Sequence, residues 1–228
     1  MDHLEVIFKK LTEEIERDPN NAMRYIERGA SYLNWGQADK ALEDCTRAIE
    51  LESSNAEFYM CRAKCYSRLD QQEKRLADYY KAAKLAPDNA MVYSKLGDAY
   101  NQTNQYDKAL ANFVKSIELD SSNAWAHLQC AYIYEESNQH DKAIEKFTEV
   151  IDSDQKQLDC AYLFFNRARS YRALKQYDKA EEDFAKAIEL SSDVYKQRYH
   201  ELWVEEEAET NHENIERDLE RIARKFPI

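Results

Sequence analysis

Cys61 and Cys65 stand four residues apart, a separation that sets two thiols on one face of a helix, where they could hold a metal ion if two further ligands joined them. No Cys or His pair at ligand spacing lies near them in the sequence, so no bound metal is expected. His3, His127, His140, His200 and His212 are dispersed, with no H-E-x-x-H pair, no nucleophile elbow and no Gly-rich phosphate loop around them. Acidic residues are abundant, but they read as the charged faces of surface helices rather than as a paired acid and base. The expectation is a protein that is not an enzyme and needs no cofactor.

The elements that carry these residues repeat. Small residues fall at Gly29, Ala63, Gly97, Ala131 and Ala168, at separations of 34, 34, 34 and 37. Three residues after each comes tyrosine: Tyr32, Tyr66, Tyr100, Tyr134 and Tyr171. A second small column reads Ala41, Ala109, Ala143 and Ala180, interrupted by Arg75. It is followed by Cys45, Tyr79, Phe113, Phe147 and Phe184, then by Ala48, Ala82, Ser116, Val150 and Ala187. A period in this range marks a stacked array whose units bury their faces against their neighbours. Within a unit the steps of three and four predict two amphipathic helices. Asn104-Gln105-Tyr106-Asp107 is too short a connection for anything but an antiparallel hairpin. Small residues at Gly97 and Ala109 would let the two backbones approach, with Tyr100 and Phe113 filling the gap beside them.

The five columns resemble the tetratricopeptide repeat over residues 22–194, in units 22–55, 56–89, 90–123, 124–157 and 161–194. The resemblance implies an all-α fold, an α-solenoid wound as a right-handed superhelix. Residues 1–19 are expected to cap it at one end and helices within 195–228 at the other. It also implies that the first helices of the units line a concave groove. The exposed stripe there is expected at positions three before, two before, one after and four after each small residue. Trp125, Leu128, Tyr132, Tyr162, Phe165, Asn166, Arg169 and Arg172 gather aromatic, apolar and cationic side chains on that stripe, and Lys64 and Lys95 stand on it in earlier units. These ten residues are the expected partner site, suited to a peptide with apolar anchors and an acidic or carboxylate group. One subclass of the family grips the acidic tails of heat-shock chaperones with a clamp of Lys, Asn and Arg on successive first helices. This chain fails that pattern in each register: Ile26 and Ala30, Met60 with Lys64, and Ser94 with Asp98 stand where the opening pair should be.

Composition agrees with such a fold. Only three Gly and three Pro occur among 228 residues, and a third of the residues are charged, as in helices with one solvated face. A net charge of −12 without a basic run argues against nucleic acid and anionic membrane as partners. No apolar run approaches a membrane span, residues 1–20 lack a signal-peptide core, and the five scattered cysteines read as thiols, so a cytoplasmic monomer is expected.

Details along the chain sharpen the reading. Leu4, Ile7, Phe8, Leu11 and Ile15 form one stripe of an opening helix that ends at Asp18-Pro19. Asn21, Asn55, Asn89 and Asn123 are placed to cap the helices that follow them. The junction between 151 and 161 is three residues longer than the others, with Ser153 where Leu51, Leu85 and Leu119 stand. Either the second helix of unit four frays early or the next helix starts a turn sooner, through Leu158, and the latter is favoured. Tyr195, Tyr199 and Leu202, then Ile215, Leu219, Ile222 and Phe226, predict two further helices. The acidic run from Glu201 to Glu209 reads as a solvated face, with a dock for a basic partner as the alternative. Arg75 should cross the interface and either emerge or pair with an acid. The function expected is a non-enzymatic adaptor, scaffold or chaperone-like interaction module. The alternative is self-assembly through the terminal helices.

Overall fold

The computed structural model describes residues 3–153 and 160–190. Among these residues the backbone forms eleven α-helices and no strand. They are α1 (His3–Arg17), α2 (Ala22–Asn34), α3 (Ala38–Leu51), α4 (Ala56–Arg68), α5 (Gln72–Leu85), α6 (Ala90–Asn101), α7 (Tyr106–Leu119), α8 (Ala124–Glu136), α9 (His140–Asp152), α10 (Cys160–Ala173) and α11 (Tyr177–Leu190). From α2 onward they pair as hairpins, α2 with α3 and so on to α10 with α11. The chain divides into two compact units, one ending at Ser121 and the other beginning at Ser122. The first holds α1 and three hairpins, the second two hairpins.

Each hairpin closes where a small residue on its first helix meets the larger column on its second. A Cβ built on Gly97 would lie 2.8 Å from two ring carbons of Phe113, so only glycine admits that ring. At Gly29 the opposing group is the Sγ of Cys45, 3.3 Å away. The second-helix column is sealed: Cys45, Phe113, Phe147 and Phe184 are fully buried and Tyr79 nearly so.

The turns share one chemistry. Gly36, Asp70, Asn104, Asn138 and Lys175 all adopt positive φ, between 55° and 73°. The next residue is glutamine every time, at positions 37, 71, 105, 139 and 176. Its N–H donates to the carbonyl of the column tyrosine five residues earlier, at 2.8–3.0 Å, the bond that ends a helix on a left-handed residue. Three positions on, Lys40, Lys74, Lys108, Lys142 and Lys179 set their ammonium groups 5.2–5.6 Å from the centroids of those same tyrosine rings. In the last four hairpins the lysine also donates to the glutamine Oε1, at 2.7–2.9 Å. The third turn occupies residues 102–105, so Tyr106 and Asp107, expected in the connection, open α7 instead.

Between hairpins, Asn55, Asn89 and Asn123 accept from the N–H groups of Glu57, Met91 and Ala126. Asn21 holds the extended backbone of Asn55 and Asn89 without a side-chain cap, which corrects the expectation for that position. On α1, Leu11 and Ile15 are buried and the Phe8 ring lies 5.0 Å from those of Tyr32 and Trp35, whereas Ile7 is exposed. Ser153 ends α9 with its hydroxyl donating to the Val150 carbonyl at 2.7 Å. The side chain of Leu4, the expected extension through Leu158 and the two helices expected after Asp193 lie outside the described residues. No helix among the described residues is long and apolar enough to cross a membrane.

Candidate functional site

The second unit carries eight of the ten expected site residues, and burial sorts them. Leu128, Phe165 and Asn166 are enclosed, at 6, 5 and 3% exposure, so they are not part of an open stripe as expected from the sequence. The reason is common to every hairpin. The side chains three positions before the small residue, Ile26, Met60, Ser94, Leu128 and Phe165, are all buried, so that column belongs to the core. Phe165 meets Phe184 edge-on at 5.5 Å, and Asn166 donates to the Tyr162 carbonyl at 2.8 Å, as an amide inside a helix does when water is excluded.

What stays accessible is an aromatic and cationic set on α8 and α10. Trp125 is 47% exposed and Tyr162 36%. The half-buried Tyr132 ring sits between repeats, 6.1 Å from Tyr162 and 5.7 Å edge-on from Phe147. Arg169 is exposed, with Nη1 donating to the Asn166 Oδ1 at 3.3 Å and lying 3.5 Å from the Glu135 Oε1. Burial pushes the Glu135 carboxyl up, and Arg169 pulls it back only in part. Arg172 and Arg169 border a polar cavity of about 520 Å³ together with Glu135, His140 and Lys175.

Lys64 and Lys95 belong to the first unit, where they line a separate cavity of about 560 Å³ with Arg68, Arg75 and Asp98. Lys95 pairs with Asp98 at 3.1 Å. Arg75 is buried at 4% exposure and neither emerges nor pairs with an acid, contrary to expectation. Its Nη1 donates to the side-chain oxygens of Gln72 and Gln102, and its carbon centre lies 5.8 Å from the Tyr79 ring centroid. Cys61, at the edge of this cavity, accepts a hydrogen bond from Cys45 at 2.9 Å, which pushes the Cys61 thiol down and the Cys45 thiol up. Cys65 donates to the Cys61 carbonyl at 3.4 Å. Among the described residues no group of three or more His, Cys, Asp or Glu side chains is arranged to hold a metal ion.

Among the described residues, three ion pairs that each hold a buried aspartate were missed from the sequence. Arg28 with Asp44, Arg62 with Asp78 and Arg167 with Asp183 are bidentate at 2.6–2.9 Å and each spans sixteen residues. Hydrogen bonds to the aspartates raise the guanidinium values of Arg28 and Arg62 despite burial; at Arg167 burial is the largest single influence, and the bonds to Asp183 together with the attraction of Asp183, Tyr171 and Asp152 outweigh it. The recurring separation was the available signal. The third hairpin replaces the pair with Leu96 and Asn112. The fourth has Cys130 and Lys146, and there Lys146 pairs with Glu149 at 2.8 Å while Glu149 lies 2.7 Å from His127.

Family models described as tetratricopeptide repeat match residues 22–55, 56–89, 126–161 and 161–193, and one described as TPR repeat matches 97–138. No curated protein matches the chain. Among solved structures the chain is similar to YrrB, described as a TPR protein with an unusual peptide-binding site. That match has 24% identity and a TM-score of 0.68 and covers 81% of this chain and 93% of that one. It is also similar to MamA (41-end) from Desulfovibrio magneticus RS-1, with 21% identity, a TM-score of 0.66, and coverage of 75% and 97%. A third likeness is to the APC/C hetero-tetramer Cut9–Hcn1, with 19% identity, a TM-score of 0.64, and coverage of 84% and 37%. At these identities the likeness is one of fold.

Proposed function

The chain belongs to the tetratricopeptide-repeat family, and from that membership we propose that it is a non-enzymatic interaction module. In this reading it takes a segment of a partner protein onto the first helices of its second unit. The observation that carries the reading is the accessible set of Trp125, Tyr162 and Arg169 around the half-buried Tyr132. Large aromatic area beside a guanidinium is the side-chain mixture that dominates binding energy when a partner covers it. Leu128 and Phe165 support the set from below as core residues rather than as contacts. YrrB, similar in fold, is described as having a peptide-binding site, which favours a peptide segment as the occupant. Arg169 already lies beside Glu135, so an acidic group on the partner has to compete with that carboxylate for it.

The test starts with affinity capture and mass spectrometry to identify the partner, followed by titration of that partner against variants. Trp125→Ala with Arg169→Ala is expected to leave the chain folded, at the cost of the Arg169–Glu135 contact, and to weaken binding by about 1–3 kcal/mol. Tyr132→Ala is a poorer probe, since it also removes the edge contact with Phe147. Parental affinity in the double variant would remove this surface as the site.

A further inference from the structure

Arg75 breaks a column that is otherwise alanine, and the structure shows what the break creates. A guanidinium taken out of water is normally matched by a carboxylate, as in the three Arg–Asp pairs of this chain. Arg75 is more deeply buried than any of those arginines, yet its acceptors are the neutral amides of Gln72 and Gln102. Its Nε is shut off from water and has no acceptor. The cavity that Arg75 lines also receives Lys64 and Arg68 from α4 and Lys95 from α6, against the single acid Asp98. A protein of net charge −12 therefore holds a recess lined by four cations and one carboxylate, Asp98, which pairs with Lys95, while the buried Arg75 is held by neutral amides.

We propose that this cavity of the first unit is a binding site for the carboxylates of an acidic peptide segment, with Arg75 as its buried anchor and Lys64 and Arg68 at its entrance. The anchor comes from a second helix, so the site differs from the first-helix clamp whose residues this chain lacks. Four cations drawn from three helices across about 560 Å³ suit several carboxylates along a chain better than one compact anion. The site is independent of the aromatic surface on the second unit, and either can fail without the other.

The experiment is fluorescence anisotropy of the full chain with a labelled peptide of eight glutamates, in low salt, against a labelled peptide of eight glutamines. The net charge of the protein disfavours an acidic peptide over most of its surface, so capture of the glutamate peptide but not the glutamine peptide is expected. Lys64→Glu, at an exposed position, is expected to weaken capture at least tenfold, and so is Arg75→Gln. Lys115→Glu, also exposed but outside the cavity, controls for the change in net charge and is expected to retain binding. Trp125→Ala is expected to leave the affinity unchanged, which separates this site from the surface proposed above. Inorganic phosphate at the same ionic strength is expected to compete no better than chloride; full displacement by phosphate would instead assign the cavity to small anions and overturn the peptide reading. Absence of glutamate-peptide binding, or parental affinity in Lys64→Glu, also overturns it, whether or not Arg75→Gln folds.

Discussion

Gly97 and Gly29 occupy the same column, but the space beside them differs. Replacing a helical glycine with alanine gains about 1 kcal/mol of propensity, whereas forcing a methyl into a packed core costs about 1–3 kcal/mol. At Gly97 the new Cβ would meet a fully buried phenylalanine ring at 2.8 Å, so Gly97→Ala is expected to destabilise on balance. At Gly29 it would meet a sulfur at 3.3 Å, and Gly29→Ala is expected to be better tolerated by at least about 1 kcal/mol. Chemical denaturation of the two variants checks the order. Glu135 gives a pH prediction. Burial raises its carboxyl value in the folded chain, so the native state keeps this proton to higher pH than the unfolded chain does. Its contribution to stability is therefore greatest below the ordinary glutamate range, falls as pH rises through the raised value, and stays low above it. Glu135→Gln is expected to melt like the parent near about pH 4 and above it near about pH 7. Thermal melts showing the reverse order would dismiss the assignment.

The Arg–Asp pairs and the left-handed turns are properties of the hairpin. Arg62→Leu alone would leave Asp78 buried without its partner, at a cost of about 3–5 kcal/mol. Adding Asp78→Asn reproduces the Leu96 and Asn112 of the third hairpin and is expected to recover most of that loss, as denaturation of single and double variants would show. Lys175 holds positive φ where the other turns use Gly, Asp or Asn, so Lys175→Asn is expected to raise stability by about 1 kcal/mol, read as a higher melting temperature. The hairpins themselves were legible in the sequence because Gly97, Tyr100, Ala109 and Phe113 recur at helical steps and a 34-residue period marks a stacked array. The buried column at Leu128 and Phe165 was not legible. A period reports that a position repeats, but an apolar side chain looks the same whether it faces the next helix or a partner. Arg75 was misjudged for a related reason: its acceptors, Gln72 and Gln102, are neutral, and only charged partners stand out in a sequence.

At the scale of the whole chain, stability is a chain of neighbour-to-neighbour contacts rather than one core. The buried clusters follow that plan, one extending from α2 to α6 in the first unit and two others in the second. Gly97→Ala is therefore expected to lower the hydrogen-exchange protection of α6 and α7 while α10 and α11 keep theirs, and equal loss in all four helices would show a single cooperative body. The turn closure has a consequence for how the protein is made. The bond from each turn glutamine reaches back five residues and its lysine reaches a ring eight residues earlier, so every hairpin is fastened by groups that are near neighbours along the chain. Folding that depends on such short separations is fast and does not wait for distant sequence. A hairpin emerging from the ribosome already contains everything its own clasp requires, so the array can be laid down one unit at a time behind the growing end, each new hairpin covering the apolar face that the one before it left open.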